Sequence, residues 1–599
     1  METESRLVRM CIEAACDSRE SVEKWRRQRR SLERIPSPLA DALLGRLIHR
    51  RILFPSLLEL FKQSVEVVDL RGESAVDAEW MAYLGAFRYL RYLNLSDCRR
   101  INSSALWALT GMTSLKELDL SRCVKVTDTG IRHLLSISTM EILRISGTGL
   151  TADGVALLSS LRNLSLLDLG GLPVTDVALS SLQVLTKLEY LDLWGSNITN
   201  KGVIALQRFP KLSFLNLAWT SVTRLPNMPS LECLNLSDCA IESILEGDGN
   251  KAPLTRLVLS GATFANEAEV FLHIKRSFLS FLDVSNSSLQ GFYFLPCMEV
   301  LGHLDLSSCM MGDDSVELIA CIGANLRNLN LSKTRVTSNG VAILAQHVPK
   351  LEFLSLSHAP IDDLAISHIG MMPSLKAIDL SNTNIKGFIH QAGAETNLIP
   401  SLTALQKLSD LQSLNLEHTQ VRDAALDPVS SFQELRHLSL RSASLSDATL
   451  YHLSSLSKLT NLAICDAVVT NYGLDLFRPP KALKMLDLRG CWLLTEEAIS
   501  AFCKKHPVTE VRHELLSTSI SDQTSANRPS PSRILLRPSQ VNRKQEKMPV
   551  SRPMSNTFID QRLKYSREEL LALQYHSLSL GSSDNRCLAM PEKQFDEKD

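Results

Sequence analysis

A tyrosine followed five and six residues later by two leucines is the pattern in this chain that most directly predicts binding chemistry. The residues are Tyr565, Leu570 and Leu571, within the stretch RLKYSREELLALQY at 562–575. Helical periodicity can place these side chains, together with Tyr575, on one side of a helix. The surrounding tail is polar, so this apolar side has no core of its own. We therefore expect a short helix that inserts into the groove of a protein partner.

Local side-chain chemistry predicts that this helix begins at Ser566. Serine is a favourable N-cap, and Glu569, three residues later, completes a capping box. Tyr565 and Leu570 then occupy the two positions that form a hydrophobic staple. Glu568 and Glu569 complement the positive end of the helix dipole. The residues leave one alternative open, which is a terminal helix that packs back onto the rest of the chain.

This stretch resembles the motif with which a family of proteins binds the eukaryotic cap-binding translation initiation factor and its isoform. The family motif is a tyrosine, four residues, a leucine and a bulky apolar residue, and it docks on the convex back of the factor. Basic residues beside the tyrosine also fit the family pattern. The resemblance implies that the partner-binding residues are Arg562, Lys564, Tyr565, Arg567, Leu570, Leu571 and Tyr575.

Catalytic and cofactor-binding motifs are absent from the sequence. There is no glycine-rich phosphate loop, no HExxH zinc motif and no GxSxG nucleophile motif. Cys503 and His506 have the residue types of half a zinc site, but no second half follows. We therefore expect a binding protein that is not an enzyme and that uses no metal or cofactor.

Length, charge and hydropathy exclude further functional classes. The 599 residues exceed one ordinary core, which predicts several domains or a repeat array. A formal net charge of −1 gives no overall field that would favour DNA or an anionic membrane. The sequence has no apolar run of about 18 residues to span a membrane, and its N-terminus lacks a signal-peptide run. These features predict a cytoplasmic protein with reduced thiols.

A recurring LxxLxL pattern organises most of the chain into 18 copies, mostly 24 or 25 residues apart. This is the leucine-rich-repeat signature, in which each copy supplies a strand, a turn and a helix. In the stretch that starts at 126, Thr127 and Asp128 offer helix-capping oxygens. Since a single repeat cannot bury its own apolar face, we expect an α/β solenoid over 65–516. A degenerate copy starts at Val65, and the later copies start at Leu90, Leu115, Met140, Leu164, Leu188, Leu212, Leu231, Leu254, Leu279, Leu301, Leu326, Leu351, Leu375, Leu411, Leu435, Leu459 and Leu483.

Two spacings break the regularity of this array. The step from Leu212 to Leu231 is 19 residues and contains prolines, which predicts the loss of a helix. The step from Leu375 to Leu411 is 36 residues, and the extra residues lie around 387–400. An insertion of this kind forms a loop that either contributes to a binding face or has no effect on binding.

Polar and aromatic residues alternate with the leucines and are expected on the concave face. An acidic, aromatic face suits a basic partner, but Asp or Asn is also ordinary at this position of such repeats, and we favour that structural interpretation. The aromatic column contains Tyr92, Tyr190, Phe214, Phe281 and Phe353. The polar column contains Asp69, Asp119, Asp168, Asp192, Asp283, Asp305, Asp379 and Asp487, with Asn94, Asn216, Asn235, Asn330 and Asn415.

Cysteines recur three residues after the last apolar residue of five strands. This spacing resembles the cysteine-containing subclass of these repeats, which is common in intracellular proteins and in ubiquitin-ligase adaptors. A thiol at this position can donate weakly to backbone carbonyls of the turn. The cysteines concerned are Cys98, Cys123, Cys239, Cys309 and Cys491.

The two ends of the chain differ from the array. Residues 1–64 predict helices that cap its first repeat, and 36–61 also loosely resembles the helical boxes that link ubiquitin-ligase adaptors to a cullin. Residues 517–599 have the polar composition of a disordered tail. Within them, 528–567 contains ten Lys or Arg against two Asp or Glu. This basic run suits an acidic surface or RNA.

The combination of a repeat array with the tail motif resembles plant leucine-rich-repeat regulators of translation. That resemblance implies a scaffold that binds the cap-binding factor in place of the large initiation scaffold. It also implies contacts with the helicase initiation factor, the initiation-factor-three complex and poly(A)-binding protein. The alternative function is substrate recognition for a cullin-type ubiquitin ligase.

Overall fold

The computed structural model describes residues 6–27, 35–247, 251–272, 274, 278–390 and 398–516. Its contacts divide the chain into two units. The first contains Met1–Val336 and His347–Leu351. The second contains Thr337–Gln346 and the described residues from Glu352 onward. Within these described residues, 19 short strands form the parallel ladders of the two units.

In the first unit, each ladder strand pairs in parallel with the strand of the next repeat. The register is strict, so that Tyr92, Leu93 and Asn94 face Glu117, Leu118 and Asp119. The strands are Val67–Asp69, Tyr92–Asn94, Glu117–Asp119, Ile142–Arg144, Leu166–Asp168, Tyr190–Asp192, Phe214–Asn216, Cys233–Asn235, Arg256–Val258, Phe281–Asp283, His303–Asp305 and Asn328–Asn330.

The second unit repeats the same arrangement. Its strands are Phe353–Ser355, Ala377–Asp379, Ser413–Glu417, His437–Arg441, Asn461–Cys465, Met485–Asp487 and Glu510–Arg512. The final strand, Glu510–Arg512, belongs to a further repeat that does not match the LxxLxL pattern. There, Val511 takes the place of the middle leucine and the buried His513 that of the last one.

Helical segments follow the strands, and several of them are 3-10 rather than α. The α-helices of the repeats are Ala78–Leu84, Asp128–Leu134, Ala152–Leu157, Asp176–Ser181, Glu267–Val270, Asp313–Ala320, Ser338–Ala345, Asp363–Ile369, Asp447–Leu453, Asn471–Leu476 and Glu496–Lys505. The 3-10 segments are Ser103–Leu109, Leu158–Ser160, Leu182–Val184, Gly202–Arg208, Leu295–Cys297, Gly323–Asn325, Ser401–Lys407, Asp423–Ser431 and Glu514–Leu516.

The recurring leucines form the core of each unit. The middle residue of a strand and the residue after the strand point away from the polar face. Leu191, Leu193 and Leu215 show the pattern, since each is completely buried. This arrangement explains why a period-two leucine pattern recurs in every copy. The predicted leucine-rich-repeat solenoid is confirmed.

The chain also turns sharply three residues after the third residue of a strand. A residue with positive φ stands there in most repeats, for example Asp97 at 62° and Gly171 at 72°. The left-handed region favours glycine, asparagine and aspartate, but Arg122 and Trp219 also adopt it here. The surrounding stack therefore holds residues in a conformation for which their types have no intrinsic preference.

Side chains at the helix starts connect one repeat to the next. The carboxylate of Asp128 accepts the backbone N–H of Thr151 at 2.9 Å and its hydroxyl at 2.6 Å. Asp176 makes the same two bonds to Thr199, at 2.8 and 2.7 Å. The expected capping oxygen of Asp128 thus serves the following repeat rather than its own helix.

Glycine is required beside these carboxylates. A Cβ on Gly154 would lie 2.0 Å from Oδ1 of Asp128, and one on Gly202 would lie 2.3 Å from Oδ1 of Asp176. Where a repeat has Ala152 in place of the aspartate, the next one has Ala178 in place of the glycine. A side chain at the glycine position is therefore accommodated only where the residue 26 positions earlier is smaller than aspartate.

Both irregular spacings have a structural explanation. After Phe214–Asn216 a short strand, Arg224–Pro226, replaces the helix and pairs in parallel with Ser243–Glu246, so the predicted helix loss is confirmed. The insertion forms an antiparallel pair between Phe388–His390 and Leu398–Pro400. The main contacts of this pair are with helical segments, Asp363–Ile369 among them.

The N-terminal segment is helical where it is described. Its helices are Arg6–Ala15, Arg19–Arg26 and Ser37–His49, followed by the 3-10 segment Pro55–Phe61. The Asp41 carboxylate accepts the backbone N–H groups of Glu66 and Val67, at 3.0 and 3.2 Å. The helix Ser37–His49, which contains Asp41, therefore supplies an acceptor for backbone N–H groups at the start of the first strand.

Candidate protein-binding surface

The predicted tail motif lies outside the described residues. This applies to Arg562, Lys564, Tyr565, Arg567, Leu570, Leu571 and Tyr575. Their roles stay predictions from the sequence. The candidate surface within the described residues is the strand face, formed by the first and third residues of the ladder strands.

Aspartate and asparagine at the third strand position close the turn that follows. In each case Oδ1 accepts the backbone N–H two residues later, at 2.9 to 3.1 Å. The structural interpretation of the polar column therefore holds at every position. The residues are Asp69, Asn94, Asp119, Asp168, Asp192, Asn216, Asn235, Asp283, Asp305, Asn330, Asp379, Asn415 and Asp487.

Some of these side chains also bond to one another across the ladder. The Nδ2 of Asn216 donates to Oδ2 of Asp192 at 3.1 Å, and Nδ2 of Asn330 donates to Oδ2 of Asp305 at 2.8 Å. Such bonds fix the orientation of a carboxylate without removing its charge. The column is therefore both a structural element and a row of fixed charges.

Rings stack at the first strand position of adjacent repeats. The ring centroids of Tyr190 and Phe214 are 4.1 Å apart with planes 6° from parallel. Phe281 and His303 stack in the same way, at 4.1 Å and 4°. The guanidinium carbon of Arg256 lies 4.5 Å from the centroid of the Phe281 ring. The spacing of paired strands, about 4.8 Å, favours these contacts.

The charge on the strand face of the first unit is mainly negative. Its only cationic residues at the two strand positions are Arg144 and Arg256 among the described residues. The carboxylates there are Asp69, Glu117, Asp119, Asp168, Asp192, Asp283 and Asp305. A surface of this composition is complementary to a positively charged chain.

Burial is uneven along this face. Phe214 is 3% exposed and Asp283 is completely buried, whereas Glu117 and Asp119 remain partly exposed at equivalent positions. Among the described elements, the strands from Leu166–Asp168 to His303–Asp305 pack chiefly against neighbouring strands. The middle of the face therefore differs from its beginning in solvent access as well as in composition.

Most apolar residues of the helix Ser37–His49 pack inward. Leu47 is completely buried and Leu43 is 8% exposed. Leu39, on the same helix, is 37% exposed. Burial of Leu43 and Leu47 supports the capping role for Ser37–His49 and leaves little of its apolar side for a cullin.

The five turn cysteines donate to the backbone of the preceding repeat. Their Sγ atoms lie 3.1 to 3.3 Å from carbonyl oxygens, as between Cys98 and Leu70 or between Cys123 and Leu95. Burial raises the pKa of Cys98 and that of Cys123 to about 12. The predicted weak donor role is confirmed, and these thiols are neutral at physiological pH.

The described part of the chain contains no group of three or more His, Cys, Asp or Glu side chains arranged to hold a metal ion. Of its helices, none combines the length and apolar character needed to cross a membrane.

A leucine-rich-repeat family model matches residues 111–135 and 184–206, in agreement with the repeat architecture. No curated protein matches the sequence. Solved structures similar to the chain include the mouse RP105/MD-1 complex, at 17% identity and a TM-score of 0.49, covering 77% of this chain and 81% of the other.

Two bacterial structures are also similar. A leucine-rich-repeat protein of Leptospira interrogans shares 14% identity at a TM-score of 0.40, covering 76% of this chain and 98% of the other. An internalin of Listeria monocytogenes shares 18% identity at a TM-score of 0.32, covering 69% and 93%.

Proposed function

Since this chain folds as a leucine-rich-repeat solenoid, we propose that it is a non-enzymatic translational regulator that binds the mRNA cap-binding initiation factor. The observation that carries this proposal is the spacing of Tyr565, Leu570 and Leu571 in a polar tail. The capping box at Ser566 and Glu569 supports a helix in register with that spacing.

The binding energy is expected to come from the three apolar anchors. Truncation of an interface hot spot typically costs on the order of 2 kcal/mol, or roughly 30-fold in affinity. Arg562, Lys564 and Arg567 would lie at the rim, where charges mainly set the association rate and its salt dependence. Folding of the segment on binding lowers the net affinity, because ordering costs entropy.

The repeats would serve as the scaffold for other initiation components. In this respect the chain resembles CERES, a plant regulator of translation. That resemblance suggests the helicase initiation factor, the initiation-factor-three complex and poly(A)-binding protein as further partners in the cytoplasm. The acidic, aromatic strand face is the surface within the described residues best suited to such contacts.

Titration of a peptide of residues 555–585 against the purified cap-binding factor tests the proposal. We expect micromolar or tighter binding, and no detectable binding after Tyr565→Ala, Leu570→Ala and Leu571→Ala together. Ser566→Ala should weaken binding by about 1 kcal/mol, because it removes the cap. A matched control, Leu578→Ala with Leu580→Ala, removes leucines outside the motif and should bind normally.

The full chain should behave in the same way on a cap-analogue resin loaded with the factor. A fragment of the large initiation scaffold should displace it, because both would use the same surface of the factor. Equal binding by the wild-type and triple-alanine chains, or none by either, would rule out this function.

A further inference from the structure

Three adjacent strands of the second unit are longer than the other strands of the ladder. Ser413–Glu417, His437–Arg441 and Asn461–Cys465 each contain five residues, whereas the other described ladder strands contain three. The three strands pair in parallel and in strict register. We define the neutral patch by the residues at their first and third positions, which are Ser413, Asn415, His437, Ser439, Asn461 and Ala463.

Two neighbouring repeats within the patch lack the residue that closes the turn in most other repeats. Ser439 and Ala463 occupy the third strand position, where aspartate or asparagine is usual. The chain continues past them as strand, and the fifth strand residues still pair, as in Arg441 with Cys465. Departures from a local structural rule are expected at functional sites. The patch therefore has small side chains where the rest of the ladder has turn-closing ones.

The polar side chains of the neutral patch have unused hydrogen-bonding groups. All are partly exposed. The Oδ1 of Asn415 accepts the backbone N–H of Glu417 at 3.0 Å, and its Nδ2 keeps both donors. The side chains that make no hydrogen bond within the described part of the chain are those of Ser413, His437, Ser439 and Asn461.

The patch is uncharged except at one corner. Partial burial, and then the nearby Arg436 guanidinium, lowers the pKa of His437, so this ring is neutral at pH 7 and offers one donor and one acceptor. The Nε of Arg441 lies 2.9 Å from Oδ2 of Asp466, which compensates its charge. Glu417, at the fifth position of the neighbouring strand, has no ion-pair partner among the described residues. Its carboxylate is therefore the one uncompensated charge at the border of the patch.

This chemistry matches the backbone of an extended polypeptide. Side-chain amides, hydroxyls and a neutral imidazole can donate to peptide C=O groups and accept from peptide N–H groups. Outward side chains along a strand recur about every 6.8 Å, which is also the spacing of alternate residues in an extended chain. Nucleic acid requires several cations to neutralise its phosphates, and the patch does not supply them.

We propose that the neutral patch binds an extended segment of a partner protein that lies along the strands and carries one lysine or arginine opposite Glu417. The other residues of the segment that face the patch are uncharged, and the segment matches the strands at about five residues. Asn415, Asn461 and His437 bond to its backbone. This binding does not rest on the proposed function, because the cap-factor motif at 562–575 takes no part in it.

Panning a phage-displayed library of random linear peptides against the immobilised full chain tests the proposal. We expect the enriched peptides to share one Lys or Arg, with uncharged residues two and four positions away on the same side. The most enriched peptide, made synthetically, then serves as the probe for affinity measurements. Binding of the cap-factor motif is measured separately, so failure here leaves that function untouched.

The discriminating variant combines Ser413→Ala, Ser439→Ala and Asn461→Ala. It should bind the probe at least about tenfold more weakly than the wild-type chain, because several hydrogen bonds are lost. Its thermal unfolding should stay nearly unchanged, since these side chains lack partners within the described residues. The matched control replaces three exposed polar residues outside the patch with alanine and should bind normally. These residues are Gln420, Ser444 and Ser457.

Reversal of the corner charge gives a second, independent test. Panning against the Glu417→Lys chain should enrich peptides that carry Asp or Glu in place of the basic residue. Glu417→Gln should remove the preference for either charge.

Three results would overturn the proposal. The first is no enrichment above that on the bare support. The second is equal binding of the probe by the discriminating variant and the control. The third is retention of a pool of single-stranded RNA by the wild-type chain and its loss by the discriminating variant, which would assign the patch to nucleic acid.

Discussion

At the scale of single residues, the turn cysteines show how a chemically reactive group becomes structural. Each of the five thiols lies in the turn that follows a strand and points to a carbonyl of the repeat before it. Burial raises the pKa of Cys309 and that of Cys491 to about 11. A buried neutral thiol is a poor nucleophile. These positions therefore suit packing and weak hydrogen bonding, and they do not suit redox chemistry.

Thiol labelling of the native chain with Ellman's reagent at pH 8 checks this. Exposed Cys11, Cys297 and Cys321 should react at once, whereas Cys98 and Cys123 should react only after denaturation. Cys321→Ser should reduce the fast phase by one thiol, and Cys123→Ser should leave it unchanged. Labelling of Cys98 or Cys123 in the fast phase would contradict their burial.

The raised thiol pKa values also give a pH dependence with a definite sign. Below the ordinary pKa of about 9 the thiols are neutral in both the folded and the unfolded chain. As pH rises from 9 towards about 12, the unfolded thiols ionise first, so the free energy of unfolding falls. Cys98→Ser with Cys123→Ser should lessen this alkaline loss in denaturant titrations at pH 8 and 10.5.

At the scale of elements, adjacent helices are joined by a carboxylate and a glycine. Asp128 bonds Thr151 in the next repeat, and its side chain fills the space that a Cβ of Gly154 would need. Asp447 has the same relation to Thr470 and Gly473. The aspartate thus supplies hydrogen bonds at the start of the following helix, where backbone N–H groups otherwise lack partners.

A double-mutant cycle measures this coupling. Gly154→Ala should destabilise the chain by about 2 kcal/mol because its Cβ overlaps the Asp128 carboxylate. Asp128→Ala should cost about 1 to 2 kcal/mol through its lost hydrogen bonds. The double variant should cost clearly less than the sum, because removing the carboxylate also removes the overlap.

A glycine with open space around it supplies the control for this cycle. Nothing lies within 4 Å of a Cβ built on Gly45, which sits in the helix Ser37–His49. Gly45→Ala should therefore stabilise the chain slightly. Strict additivity of the Asp128 and Gly154 changes in thermal unfolding would exclude the proposed coupling.

At the scale of the whole molecule, the sequence predicts the repeats better than the contacts between them. The LxxLxL period locates the strands because it marks the residues that must leave water. It misses Glu510–Arg512, whose copy uses Val511 and His513 in place of leucines. It also misses the partner of Asp128, because that bond spans 23 positions and depends on how neighbouring repeats stack.

For the candidate surface, too, the sequence predicts the residues but not the contacts between them. Its rings and carboxylates can be read from the sequence, since they alternate with the leucines. Their contacts cannot, because the stacking of Tyr190 on Phe214 depends on the registered pairing of strands 24 residues apart. The uneven burial between Asp119 and Asp283 is likewise invisible in a pattern that treats the two positions alike.

Stacked repeats lose stability locally, since each contacts mainly its neighbours. Leu43→Asp with Leu47→Asp should therefore accelerate hydrogen exchange over 65–120, next to Ser37–His49, and leave 410–490 protected. Leu39→Asp, at a partly exposed position on the same helix, should have little effect. Unchanged exchange together with loss of cullin association would instead assign this helix to a ubiquitin-ligase adaptor.

The turn-closing column has a consequence for how such a protein can diversify. Aspartate and asparagine close the same turn with the same oxygen. Exchanging one for the other therefore changes the charge at one strand of the ladder at almost no cost in stability. A lineage could therefore rewrite the order of charges along the ladder by single-nucleotide changes, while the core beneath stayed constant. Binding specificity can therefore change stepwise in this architecture while every variant along the way stays folded.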